Sequence, residues 1–358
     1  MPRVRGPVSK EAEMLRIFRA PLRCIALAAA ALTIGALVGC APDQPPASAA
    51  LIQIGDQSQK AVTLTFDCGS DAGSTSAILD LLHSRGITAA FGVTGQFAAN
   101  YPALVQRMAR EGHQVMNHSY THRRFTDLTS SERVTELNRA EQTFNRLGVS
   151  SAGWFRAPEG ATNAGVDADL ARSGYYLDVK WTIDSKGWMT NPRSTVQTVI
   201  DAIFTSGQLR NGAIILMHVG ALSVDYAALP GVLWGLRTRG YGFASPAQAL
   251  TSGVIGKHYD AIGAQRSLIG VPQTVELNVP RGRWQLFRSG RMYWSSSTGA
   301  WEVHGAILGR YTSLDTTNSR LGFPVSDEYS VPGGRRSNFQ HGFITWSAAT
   351  GATTVSYV

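Results

Sequence analysis

Between residues 61 and 250, short apolar runs alternate with longer amphipathic stretches, and this alternation limits the possible folds more than any other feature of the chain. "AVTLTF", "TAAFGV", "HQVMN", "GWFRA" and "AIILMH" read as buried strands. Between them, residues 76–83, 102–111 and 131–147 read as helices. The last is preceded by Thr129 with Glu132 three residues on. At that spacing the hydroxyl and the carboxylate each satisfy a free backbone N–H at a helix start; Gly148 then ends the helix. Strands alternating with helices imply a parallel sheet or barrel. In such folds the chemistry gathers at the C-terminal ends of strands, where "TFDCGSD", "HSYTH" and "MHVG" fall.

Past residue 256 the texture changes to Gly, Ser, Trp and Tyr with few helix formers. An ungapped repeat with a spacing of 52 begins here: Tyr259/Tyr311, Gly270/Gly322, Pro272/Pro324, Glu276/Glu328, Arg283/Arg335, Phe287/Phe339 and Trp294/Trp346. So long a match in one register is not a chance event. It predicts two copies of a small β-rich unit, 256–358, that bury their aromatic faces by packing on each other.

The N-terminus reads as an address. Arg3, Arg5, Lys10, Arg16, Arg19 and Arg23 against Glu11 and Glu13 leave +4, half of the chain's formal +8. An apolar run from Cys24 to "LVGC" follows, the pattern of a bacterial lipoprotein signal, 1–40, with Cys40 as the lipidated residue. Residues 41–60, rich in Pro, Ala, Ser and Gln, read as a linker. No Lys/Arg cluster with interleaved aromatics remains, so nucleic acid is not an expected partner. Once the signal has left, Cys68 is the one unmodified cysteine, and no internal disulfide is possible.

Four segments carry polar residues that packing does not require. "TFDCGSD" ends a strand in Asp67, with Cys68 and Asp71 beside it. "NHSYTH" places His118 and His122 four apart, a spacing that on a helical turn brings side chains together and suits a cation such as Zn²⁺. "FRAPEG" supplies Arg156, and "LMHVG" ends a very apolar strand in His218. "WTIDSKGW" adds Asp184 and Trp188. Asp, H-x-x-x-H, R-x-P-x-G and L-x-H, in that order at strand ends, resemble the polysaccharide deacetylases of the NodB-homology type, carbohydrate esterase family 4. "LGFPVSDE" and "IGVPQTVE" resemble LGFP repeats, which are associated with cell-wall proteins.

The resemblance implies a deformed (β/α) barrel over 61–250 and a metal-assisted hydrolase that removes acetyl groups from cell-wall glycan, with peptidoglycan the expected substrate. In that reading Asp67 is the general base, His218 the general acid, and Arg156 holds Asp67 charged. His118 and His122 hold a divalent metal, Zn²⁺ by expectation. The Glu159 N–H faces the developing oxyanion, while Trp188 and Leu216 wall the acetyl pocket. Two departures stand out. The usual second Asp after the base is Cys68, so Asp71 is expected to serve as third ligand, the alternatives being no third protein ligand or a Cys68 thiolate; Cys68 otherwise reads as a buried filler or a redox-sensitive switch. The usual Asp before Trp188 is Gly187, so Asp184 is expected to support His218. The lipid anchor would place the enzyme outside the membrane, against the wall. The competing readings are a silent glycan-binding module and an O-acetyl esterase.

Overall fold

The computed structural model describes residues 44–69 and 71–358; the signal 1–40 and its Cys40 lie outside them. Nine strands form one sheet: β1 (Ala50–Ile52), β2 (Ala61–Cys68), β3 (Ala90–Val93), β4 (Gln114–Asn117), β5 (Trp154–Phe155), β6 (Leu177–Val179), β7 (Ile183–Asp184), β8 (Ile214–His218) and β9 (Gly242–Phe243). The order is β1-β6-β5-β4-β3-β2-β8-β7, with β9 paired to the start of β2, and every pairing is parallel. The sheet curls into a half-barrel wrapped by helices. The expected helices are Thr75–Ser84, Pro102–Arg110 and Ser130–Arg146, and the last carries the Thr129–Glu132 capping box.

Strand periodicity sorts the residues of β2. Val62, Leu64, Phe66 and Cys68 enter the core beneath the helices, together with Ile215 and Met217 of β8, whereas Thr63, Thr65 and Asp67 take the opposite face. Each large apolar side chain buried there stabilises the fold by about 1.5–3 kcal/mol. On the inner side, Ala90, Trp154, Leu177 and Ile214, the first residues of their strands, form a second core with Leu250. The polar ends of β2 and β8 therefore lie at the rim opposite that core.

Two segments carry structure that the sequence reading did not assign. The linker 41–60 contains β1, which pairs in register with β6, Ala50 opposite Leu177. Its "ALI" supplies apolar edge surface, and Gly55 N–H and Asp56 N–H bind the Gly212 and Ala249 carbonyls. The repeat units are β-rich, as expected, and each also carries a helix. Each is an antiparallel four-stranded meander, β10 (Leu277–Val279), β11 (Gly282–Phe287), β12 (Gly290–Ser295) and β13 (Gly299–His304), then β14 (Tyr329–Val331), β15 (Gly334–Phe339), β16 (Gly342–Ser347) and β17 (Thr353–Tyr357). Each meander is preceded by a helix, Gly253–Ala261 or Gly305–Ser313, at the same spacing. In both units a tyrosine hydroxyl binds a glycine carbonyl, Tyr259 to Gly270 at 2.9 Å and Tyr311 to Gly322 at 2.7 Å. A boundary at 256 thus falls inside a helix. The first repeat packs onto the inner core through Val271 and Val275, with Trp154 Nε1 donating to the Pro272 carbonyl at 2.7 Å.

Candidate active site

Asp67, next to last in β2, stands at the register position opposite His218, the last residue of β8. On its other side stands Gly92 of β3. A Cβ there would come within 2.4 Å of Asp67 Oδ1, so the glycine makes room for the carboxylate. Arg156 lies wholly buried beneath it. Its Nη1 donates to Asp67 Oδ1 at 2.9 Å, Nη2 to Thr65 Oγ1 and the Lys180 carbonyl, and Nε to the Val179 carbonyl. Burial pushes the Asp67 carboxyl up. The Arg156 guanidinium leads the interactions that outweigh it and hold the group below the usual carboxylate value.

His118 follows the end of β4. Its Nδ1 pairs with the Arg156 carbonyl at 2.8 Å, so Nδ1 carries the hydrogen and Nε2 keeps its lone pair. That Nε2 is buried, 3.6 Å from Asp67 Oδ2, and has no hydrogen-bond partner among the described residues. Burial lowers the His118 pKa to about 4, so the ring is neutral. His122 approaches it with ring centroids 4.8 Å apart. The pair does not sit on a helical turn as expected. Residues 118–122 form a loop with Ser119 and His122 at positive φ, pinned where the Glu136 carboxylate accepts from the Tyr120 and Thr121 N–H groups. A buried imidazole nitrogen left free beside a second imidazole and an anionic carboxylate fits a divalent cation.

The third ligand expected at Asp71 is not brought to the histidines. Its carboxylate accepts from the Ala221 N–H at 2.7 Å, tying the loop after β2 to the loop after β8. Cys68 faces the core on the other side of the strand, and burial pushes its thiol well above the usual value. Among the described residues no cluster of three His, Cys, Asp or Glu side chains forms a metal site.

Glu159 follows Pro158 in a left-handed conformation, φ 58°. Trp188 is 52% exposed, its ring 6.2 Å from that of His218. Leu216 is buried two residues before His218, on the same strand face. Asp184 makes no hydrogen bond to His218: its Oδ1 accepts from the Lys186 N–H at 2.8 Å, and it acts on the ring through its charge alone. The carboxylate against His218 belongs to Asp225, whose Oδ2 lies 3.3 Å from Nδ1. Burial pulls the His218 pKa down, but the Asp225 bond and the charges of Asp67, Asp225 and Asp184 raise it overall above its ordinary value. Asp225 and Gly92 carry no sequence signal: one starts a helix beyond the last motif, and the other is one glycine among 37.

The family model described as polysaccharide deacetylase matches residues 54–177, and that of the LGFP repeat matches 269–319 and 321–357. The chain is 32% identical over 194 residues to the peptidoglycan-N-acetylmuramic acid deacetylase PdaA of Bacillus subtilis, covering 54% of this chain and 72% of that protein. It is 34% identical over 165 residues to the chitooligosaccharide deacetylase of Sinorhizobium fredii, covering 44% and 72%. The crystal structure of the peptidoglycan N-acetylglucosamine deacetylase Bc1960 superposes with a TM-score of 0.51 at 26% identity, over 56% of this chain and 92% of that one.

Proposed function

Because the chain belongs to the polysaccharide deacetylase family, we propose that it removes acetyl groups from the N-acetylated sugars of peptidoglycan, with a divalent metal, at the outer face of the membrane. The observation that carries this reading is Asp67, ionised by Arg156 and facing His218 across adjacent strands. Relatives named for peptidoglycan support the substrate, and repeats of a cell-wall type support the place. The lipidated Cys40 belongs to the same proposal; no helix of the described residues is long and apolar enough to cross a membrane. The functional boundaries are those of the sequence, 61–250 for the deacetylase and 256–358 for the wall-directed repeats, with the first repeat's helix added to the latter.

A divalent ion such as Zn²⁺, when bound, supplies Lewis acidity that polarises the acetyl carbonyl and acidifies the attacking water; His118 and His122 would hold it. Asp67 takes one proton from that water as its oxygen bonds to the carbonyl carbon. Arg156, with four hydrogen bonds fixing its plane, keeps Asp67 charged and aimed. The Glu159 N–H donates to the oxyanion that forms. When the carbon–nitrogen bond breaks, His218 passes its proton to the nitrogen, giving acetate and a free amine. Trp188 and Leu216 line the side on which the acetyl methyl sits.

Release of acetate from defined muropeptides tests this directly. Wild type releases stoichiometric acetate and amine, and Asp67→Asn releases neither. Among the described residues no third His, Cys, Asp or Glu joins His118 and His122 in a metal cluster, and this favours one other reading, a silent glycan-binding module. Muropeptide binding without acetate release, in the presence of Zn²⁺, would establish that reading instead. Acetate without new amine would identify an O-acetyl esterase.

A further inference from the structure

We propose that Asp225 is the positioning residue of His218, and that Gly187 is a glycine because the Asp225 carboxylate occupies the space its side chain would need. The role assigned to Asp225 rests on His218 being the general acid; the competition for space does not.

Asp225 is fully buried at the first position of the helix Asp225–Thr238, where the positive end of the helix favours a negative charge. Its Oδ2 gathers donors from three segments. The His218 N–H donates at 2.7 Å, Ser185 Oγ at 3.0 Å and Ser223 Oγ at 3.0 Å, and His218 Nδ1 lies at 3.3 Å. An ionised carboxylate only accepts, so Nδ1 must carry the hydrogen. Nε2 is then the nitrogen free to exchange a proton. The same oxygen also binds the His218 backbone, so ring and main chain are indexed to one anchor.

Gly187 supplies the second observation. Its φ lies outside the left-handed region, so its backbone does not demand glycine. The space does. A Cβ built there would stand 2.3 Å from Asp225 Oδ1, 2.5 Å from Cγ and 2.8 Å from Oδ2. All three carboxylate atoms lie within collision range, and Oδ1 has no hydrogen-bond partner among the described residues. The Val224 N–H to Gly187 carbonyl bond, 3.1 Å, locks the two loops at this distance. Positions 187 and 225 therefore share one carboxylate seat beside His218, and a side chain rooted at 187 enters it only when Asp225 vacates it.

The experiment is a cycle of Gly187→Asp, Asp225→Ala and their double variant, with the isosteric Asp225→Asn beside it. Three readouts are taken: kcat and KM for acetate release, melting temperature, and the ring nitrogen shifts of ¹⁵N-labelled His218. Asp225→Asn should lower kcat on the order of 10²-fold or more with little change in KM, and should remove the single Nδ1–H tautomer. Gly187→Asp should lower the melting temperature in the wild-type background but not in Asp225→Ala. The double variant should recover at least about tenfold of the kcat lost in Asp225→Ala, a non-additivity expected of residues in contact. An unchanged tautomer and a kcat within threefold in Asp225→Asn would overturn the positioning role. An equal thermal penalty of Gly187→Asp in both backgrounds would overturn the shared seat. If the wild type released no acetate, the proposed function would fail, while tautomer and melting cycle would still decide this proposal.

Discussion

Arg156 Nη1 and Asp67 Oδ1 are 2.9 Å apart, and the arginine that makes this bond has no exposed surface at all. Four hydrogen bonds hold its guanidinium before any substrate arrives. Removing one partner of a buried pair leaves the other charge uncompensated, at a cost of about 3–5 kcal/mol. Arg156→Met should lose about that much in a urea unfolding titration, together with activity. Asp67→Asn should remain folded and lose ~10²–10⁴-fold in rate. Wild-type stability for Arg156→Met would remove the arginine from the frame of the site.

Metal content separates the candidate ligands. His118→Ala and His122→Ala should each abolish bound zinc, measured by atomic absorption after dialysis. Cys68→Ala should keep it and lose about 1–2 kcal/mol of stability, because the thiol fills a core position. Asp71→Ala should also keep the metal, since the bond it breaks is the one to Ala221. In the native protein Cys68 should not react with a thiol reagent until the chain unfolds. Zinc lost on Cys68→Ala alone would make the thiol a ligand after all.

Asp178 offers a pH test away from the chemistry. Burial raises its pKa from 3.8 to about 6, and its Oδ2 has no hydrogen-bond partner among the described residues. A carboxyl with a raised folded pKa favours the folded state below its unfolded value and loses that advantage as pH rises through the folded value. Stability should therefore fall between about pH 4 and pH 6 because of this group. Asp178→Asn should flatten that fall and stabilise the protein at pH 7 by up to about 3 kcal/mol, the free energy of the shift. Parallel melting curves for both proteins at pH 4.5 and 7 measure it, and an unchanged difference between the two pH values would refute the assignment.

The seam between the half-barrel and the first repeat predicts how the chain tolerates cutting. A fragment ending at residue 250 uncovers the inner core where Val271 and Val275 pack and strands the Trp154 Nε1–H. It should melt several degrees below the full protein. A repeat fragment starting at 256 loses Ile255, a buried member of its core, and should be less stable than one starting at 252. Equal melting temperatures for the two repeat fragments would show that the helix adds nothing.

The order of residues was enough for what depends on local pattern. Period-two and helical spacing gave the parallel strands, the helices and the capping box at Thr129. Strand alternation gave the opposed faces of Asp67 and Cys68, and the 52-residue register gave the two equivalent repeats. Each of these follows from backbone geometry acting over a few residues, or from a comparison of the sequence with itself. What tertiary structure decided depends on distances between segments far apart in the chain. Sequence spacing allowed Asp71 to reach the histidines, but the packing of two loops gave its carboxylate the Ala221 N–H instead. Asp184 and Asp225 were both acids near His218, one before β8 and one after it. Only the turn after β8, with Ser223 and the start of the next helix, carried Asp225 into the space left by Gly187. A buried carboxylate goes where donors and room converge, and that convergence exists only once the sheet has closed.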